Sequence, residues 1–176
     1  VDDIIFDVAA FTNLQHDHLD YYGDMEHYFE AKKSLFTPAH SRCGVVCVDD
    51  EWGLRLAQES EVPVTTVSVF SHREADWTVR RINFDRAIPA VTFDLVTPQG
   101  DERLIRMPML GEVNVQNAVV ALVAALKLGC EFEAAVSALE GAEQIPGRMT
   151  SVNPDPGAQP LVIVDFAHTP EGLDWT

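Results

Sequence analysis

Short apolar runs that stop abruptly at polar clusters constrain this chain more than any other feature. Ile4-Ile5-Phe6-Asp7-Val8-Ala9-Ala10-Phe11, Gly44 to Val48 and Leu161-Val162-Ile163-Val164-Asp165-Phe166 are short and β-compatible. Their near-continuous apolarity marks strands covered on both faces, as in a parallel sheet. Helical patterns lie between and after them. Asp24 suits an N-cap, and Met25, Tyr28, Phe29, Lys32, Leu35 and Phe36 then recur at helical spacing until Thr37-Pro38 ends the run. Further helices are expected over about 51–59, over 114–128 closed by Gly129, and over 131–139 stopped by Gly141. From about 64 to 108 the pattern alternates. Trp77 to Ile82 and Ala90 to Leu95, with a Pro98-Gln99-Gly100-Asp101 turn, predict a small β-rich insertion, not a separate domain. The expected fold is α/β: a mostly parallel sheet flanked by helices, with a small antiparallel β insertion.

The chain has 176 residues, 47% hydrophobic and 23% charged, enough for one domain with a real core. A formal net charge of -16 argues against nucleic acid as a partner, because phosphate backbones are bound by clustered Lys and Arg. No apolar run approaches the roughly 20 residues that span a bilayer, so no membrane span is expected. The three cysteines, Cys43, Cys47 and Cys130, cannot all pair with one another, which points to a reducing, cytoplasmic setting. Cys43 and Cys47 have no second Cys or His pair nearby to complete a zinc site. Val1-Asp2-Asp3 lacks the basic flank of a signal peptide. Both ends read as cuts through structure, as expected of a piece of a longer protein.

In open α/β sheets, ligands gather at the carboxyl ends of strands. Four groups of residues stand where that rule looks first. His16-Asp17-His18-Leu19-Asp20 follows the first strand and offers metal or phosphate ligands, or the His-x-His pair of a metal-dependent hydrolase. Lys32 lies on the apolar stripe of its helix, and Lys33 does not. A lysine pressed against a core has its ammonium form disfavoured, and a neutral amine can take up carbon dioxide as a carbamate able to hold a hard metal. The alternative is that Lys32 covers the core with its stem and keeps its head in water. Asn114 and Asn117 share one face at a helix start, where an amide can read an adenine edge or simply cap the helix. Arg148 could contact phosphate or ribose, and Asp165 and His168 end the last apolar run.

The order and wording of these segments say more than any one of them. Thr12-Asn13-Leu14, Asp17-His18-Leu19-Asp20-Tyr21, Glu30-Ala31-Lys32, Gly111-x-x-Asn114-Val115-x-Asn117-Ala118, Pro146-Gly147-Arg148-Met149 and Val164-Asp165-Phe166-Ala167-His168-Thr169-Pro170 together resemble the Mur ligase family. The likeness is greatest to the branch that adds a diamino acid. It covers almost the whole chain and is loosest over 64–108. It implies that residues 1–170 are the family's central, ATP-binding domain and 171–176 the start of a link to a further domain. It also implies an ATP-dependent ligase of bacterial cell-wall synthesis. ATP and Mg2+ would be the cofactors, and UDP-MurNAc-dipeptide and a diamino acid the partners. His18 and a carbamylated Lys32 would hold a magnesium ion, the fourteen-residue spacing from His18 choosing Lys32 over Lys33. Asn114 and Asn117 would sit by the adenine, Arg148 and Asp165 by ribose or phosphates, and His168 and Thr169 in the same nucleotide motif. Two departures stand out. No Gly-Lys dipeptide occurs, so the phosphate loop Gly-x-x-Gly-Lys-[Ser/Thr] is absent from these residues and the chain alone is expected to be inactive. Gln15-His16 also replaces the Ser-Arg common in the family. A metal-dependent hydrolase built on His16 and His18, and a non-catalytic binding module, remain the other readings.

Overall fold

The computed structural model describes residues 4–15, 23–85, 90–152 and 162–167. Six strands form one sheet in sequence order: β1 (Phe6–Phe11), β2 (Ser41–Cys47), β3 (Val64–Ser68), β4 (Trp77–Asp85), β5 (Ala90–Val96) and β6 (Glu102–Met107). The pairings β1–β2, β2–β3 and β3–β4 are parallel, and β4–β5 and β5–β6 are antiparallel. The expected class therefore holds. The antiparallel part is narrower than the alternation suggested, since β3 belongs to the parallel half.

The parallel strands are joined by helices, as parallel pairs require. Helix α1 (Met25–Lys33) starts at Asp24, whose carboxylate accepts the His27 N–H, and tightens into a 3-10 turn at Ser34–Phe36. Helix α2 (Glu51–Glu59) starts at Asp50, whose carboxylate accepts the Gly53 N–H. Gly53 lies so close to β2 that a Cβ there would overlap the Cys47 carbonyl oxygen. Helices α3 (Glu112–Lys127) and α4 (Phe132–Glu140) follow β6.

Strand β2 shows why the chain reads as apolar there. Val46 and Val48 pack with Phe29, Phe36 and Leu56 in one core, while Val45 and Cys47 pack with Val115 and Val119 in the other. Both faces are covered, so both alternating sets must be apolar. Strand β1 departs from that expectation. Among the described residues it is paired on one side, with β2, and Ile4, Ile5 and Phe6 are exposed while Ala9 and Phe11 are buried. The last apolar run departs further. Among the described residues Ile163–Val164 forms a strand, β8, and it pairs antiparallel with β7 (Thr150–Ser151) in a separate two-stranded sheet. Among the described residues no helix covers it, and Val162, Ile163, Val164 and Phe166 are exposed.

Among the described residues, no helix is long and apolar enough to cross a membrane.

Candidate functional site

The carboxyl ends of β1, β2 and β3 open beside the first turns of α3. A cleft of about 240 Å³ lies there, lined by Asn13, Gln15, Asp49, Asp50, Phe70, Ser71, Val113 and Gln116. Its position follows the general rule for open α/β sheets.

Two adjacent carboxylates after β2 build the walls. Asp50 reaches both ways: one oxygen accepts the Gly53 N–H at 2.6 Å and starts α2, and the other accepts the Leu14 N–H at 3.3 Å and holds the end of β1. Asp49 fastens the segment after β3. Its Oδ1 accepts the Ser68 hydroxyl at 3.0 Å, the Ser71 N–H at 3.1 Å and the Ser71 hydroxyl at 2.8 Å. The Val69 N–H bonds both oxygens at 3.0 Å. Burial by itself would raise the Asp49 carboxyl, but the Ser71 amide and hydroxyl, the Cys47 thiol and the Val69 amide outweigh it and hold the group below the ordinary carboxylate range. Asp49 is thus an anion whose partners are nearly all fixed backbone or short side-chain donors.

The start of α3 gathers several of the residues singled out from the sequence. Gly111 adopts φ 93°, a left-handed conformation suited to glycine, and turns the chain into the helix. Asn114 is buried, and its Nδ2 donates to the Leu110 carbonyl at 2.6 Å. That bond pins the segment before the helix, so Asn114 acts as a clasp there. Asn117 is exposed. The Pro146–Met149 turn packs on the same helix start through the Met149 side chain. Asp165 holds that turn in place: its Oδ2 accepts the Met149 N–H at 2.8 Å and its Oδ1 the Ala167 N–H at 2.7 Å. The Phe166 N–H donates to the Gly147 carbonyl at 2.8 Å. Arg148 extends from this turn and is exposed. Asn114, Arg148 and Asp165 therefore belong to one connected feature, with Asn117 a turn further along the helix. Asn117 and Arg148 leave exposed donors beside a helix N-terminus, a chemistry that fits a nucleotide's ring edge and phosphates.

Lys32 and Lys33 differ, though not as the stripe suggested. Both are half-buried. Lys33 follows Phe29 by four residues, so the two are neighbours on the helix, and its ammonium lies 5.7 Å from the Phe29 ring centroid. Lys33 also pairs with Glu30 at 2.7 Å and Glu59 at 2.8 Å, and these two carboxylates push its pKa up. The stripe reading that set Lys33 apart from the core is thus corrected by the i, i+4 rule. Lys32 lies 4.9 Å from the Tyr28 ring centroid, and among the described residues no carboxylate pairs with it. Of the two, Lys32 is the amine that is in no ion pair among the described residues.

His16, His18, His168 and Thr169 lie outside the described residues. Among the described residues no group of three or more His, Cys, Asp or Glu side chains is arranged to hold a metal ion. Lys32, half-buried and with no carboxylate paired to it among the described residues, fits a carbamate ligand in kind. The sequence reading missed Asp49, Asp50, Asn13 and Gln116 as site residues. Asp49-Asp50 directly after a buried run was the available signal, and Gln116 stood between the two asparagines of a motif already noted.

Comparison with known proteins accords with this geometry. Residues 1–125 match the Mur ligase middle domain. The chain is 43% identical over 180 residues to the UDP-N-acetylmuramyl-tripeptide synthetase of Leifsonia xyli subsp. xyli, covering 100% of this chain and 34% of that protein. It is 38% identical over 174 residues to the UDP-N-acetylmuramoyl-L-alanyl-D-glutamate--2,6-diaminopimelate ligase of Streptomyces coelicolor, covering 99% of this chain and 34% of that one. A solved structure of a ligase of the latter name superposes with a TM-score of 0.75 at 33% identity, covering 95% of this chain and 34% of that chain. The chain thus spans about a third of the length of the curated relatives it matches. The matched residues make up more than half of the chain, which belongs to the Mur ligase family.

Proposed function

We propose that this chain is the nucleotide-handling part of an ATP-dependent ligase that adds a diamino acid to UDP-N-acetylmuramoyl-L-alanyl-D-glutamate in the bacterial cytoplasm. In this reading the γ-phosphate of ATP passes to the substrate carboxylate, and the amine of the diamino acid displaces phosphate from the acyl phosphate to form the amide. Phosphoryl transfer of this kind depends mainly on positioning and charge neutralisation, which Mg2+ and cationic side chains supply. The observation that carries the reading is the packing of the Asp165-held turn, with Arg148, against the start of α3, which brings together two motifs far apart in sequence. Asn117 and Arg148 would contact the nucleotide, with Asn114 and Asp165 holding the frame, and His168 and Thr169 would complete that side. His18 and a carbamate on Lys32 would bind magnesium.

The test is ATP-dependent ligation by a longer protein carrying this chain, with Lys32→Ala and Lys33→Ala compared, with and without a small carboxylate. Loss of activity in Lys32→Ala alone, partly restored by the carboxylate, is the expected result. Equal activity in wild type and both variants would overturn the carbamate assignment. Residues 1–176 alone, lacking a phosphate loop, are expected to show no ligation, and detectable amide formation by them would refute that part.

A further inference from the structure

A chain of hydrogen bonds crosses the strand ends with every donor pointing the same way. Asn13 Nδ2 donates to Gln116 Oε1 at 3.3 Å, Gln116 Nε2 donates to Cys47 Sγ at 3.2 Å, and the Cys47 thiol donates to Asp49 Oδ2 at 3.2 Å. The direction is consistent at each link. Burial pushes the Cys47 thiol up to about 12, so at neutral pH it keeps its proton to give to Asp49. The chain joins residues 103 and 69 positions apart in sequence, and it links the loop after β1, α3 and β2, and through Asp49 the segment after β3. Aligned hydrogen bonds of this kind polarise one another, and a buried amide is costly unless both its ends are satisfied.

Gln116 stands at the junction. It is buried, and the two ends of its amide hold two different elements. Asn13 and Asp49, at the ends of the chain, are walls of the cleft. A glutamine needed only to fill space would not require a partner on each side. We propose that Gln116 is a positioning residue that fixes the Asn13 wall of the cleft relative to the Asp49 wall, so that the two move as one unit. In the ligase reading, on which only the kinetic part of the test rests, this sets the geometry in which the nucleotide is held.

The test uses a longer protein carrying this chain and three variants. Gln116→Met keeps the size and removes both hydrogen bonds. Cys47→Ala cuts the middle link, and Cys47→Ser retains a donor and an acceptor. Amide exchange is followed at Leu14, beside Asn13, and at Val123, in the same helix as Gln116 but away from the cleft. Gln116→Met and Cys47→Ala are expected to speed exchange at Leu14 by about five-fold, the scale of one lost hydrogen bond, and to leave Val123 unchanged. Cys47→Ser should stay near wild type. Ligation should show KM for ATP raised several-fold with kcat little changed. Unchanged Leu14 exchange in both disrupting variants, or equal acceleration at Val123, overturns the proposal. Should Gln116→Met not fold, Cys47→Ala against Cys47→Ser decides it. Should the wild type show no ligation, the ligase reading fails and the exchange data alone decide the role of Gln116.

Discussion

A Cβ placed on Gly111 would stand 2.8 Å from Met149 Cγ, so the start of α3 and the Pro146–Met149 turn meet with no room for a methyl group between them. Gly111 also holds φ 93°, where an L side chain is strained. Gly111→Ala should therefore cost about 2 kcal/mol, read from the denaturant midpoint. It should also displace the turn that carries Arg148, so KM for ATP in the ligation assay should rise. An unchanged midpoint would mean that the turn gives way without cost.

Asp49 yields a prediction with a sign. Its folded carboxyl lies below the ordinary value of 3.8. A depressed acid stabilises the fold above its unfolded pKa, and that contribution is lost as pH falls through the folded pKa. Asp49→Asn should thus cost about 2 kcal/mol at neutral pH, because charge-assisted bonds from residues 68–71 are weakened. The difference between variant and wild type should shrink below pH 3.8. Urea unfolding across a pH series checks this, and a difference constant with pH would assign the loss to packing and not to charge.

Helix α1 separates stability from chemistry. Phe29 is fully buried in the core shared with Phe36 and Leu56, so Phe29→Ala should cost about 4 kcal/mol. Lys33→Ala removes ion pairs at the surface and should change stability by less than about 1 kcal/mol. A thermal melt of each variant distinguishes these outcomes. A large loss in Lys33→Ala would show that its stem on Phe29 matters more than its charge.

Much of this was legible in the sequence, and the physical reason differs by element. The cap at Asp24 and the span of α2 follow from local chemistry, because a helix start is satisfied within three residues. The alternating faces of β2 showed as continuous apolarity, because both faces are covered. The exposure of Ile4 to Phe6 among the described residues was not legible, since apolarity records what a strand can bury and not what covers it. Likewise Ile163–Val164 reads like β2 but, among the described residues, pairs with Thr150–Ser151. Asn114, Arg148 and Asp165 were singled out by their motifs, and the structure brings them together at the start of α3. The motif did not say that Asn114 and Asp165 hold backbone, which needs the positions of Leu110 and Met149. Gln116 and Asp49 stand at local signals, but what they hold was not legible, because Gln116 bonds Cys47 69 positions away and Asp49 bonds Val69 20 positions away.

The sequential strand order has a consequence for how the molecule assembles. Pairing Val96 with Glu102 closes a span of six positions, whereas pairing Phe6 with Ser41 closes thirty-five. Chain entropy opposes the longer closure more strongly, and contacts between near neighbours form sooner. The hairpin of β5 and β6 can therefore form early and template the sheet, and the β1–β2 pairing, at whose carboxyl ends the candidate cleft lies, is completed late. Pulse-labelled refolding should protect the amides of Phe93 to Leu95 before those of Val45 to Cys47. The part of the sheet that borders the candidate cleft is then the last to be built, and a variant that slows its closure would lower the yield of folded protein without altering the finished cleft.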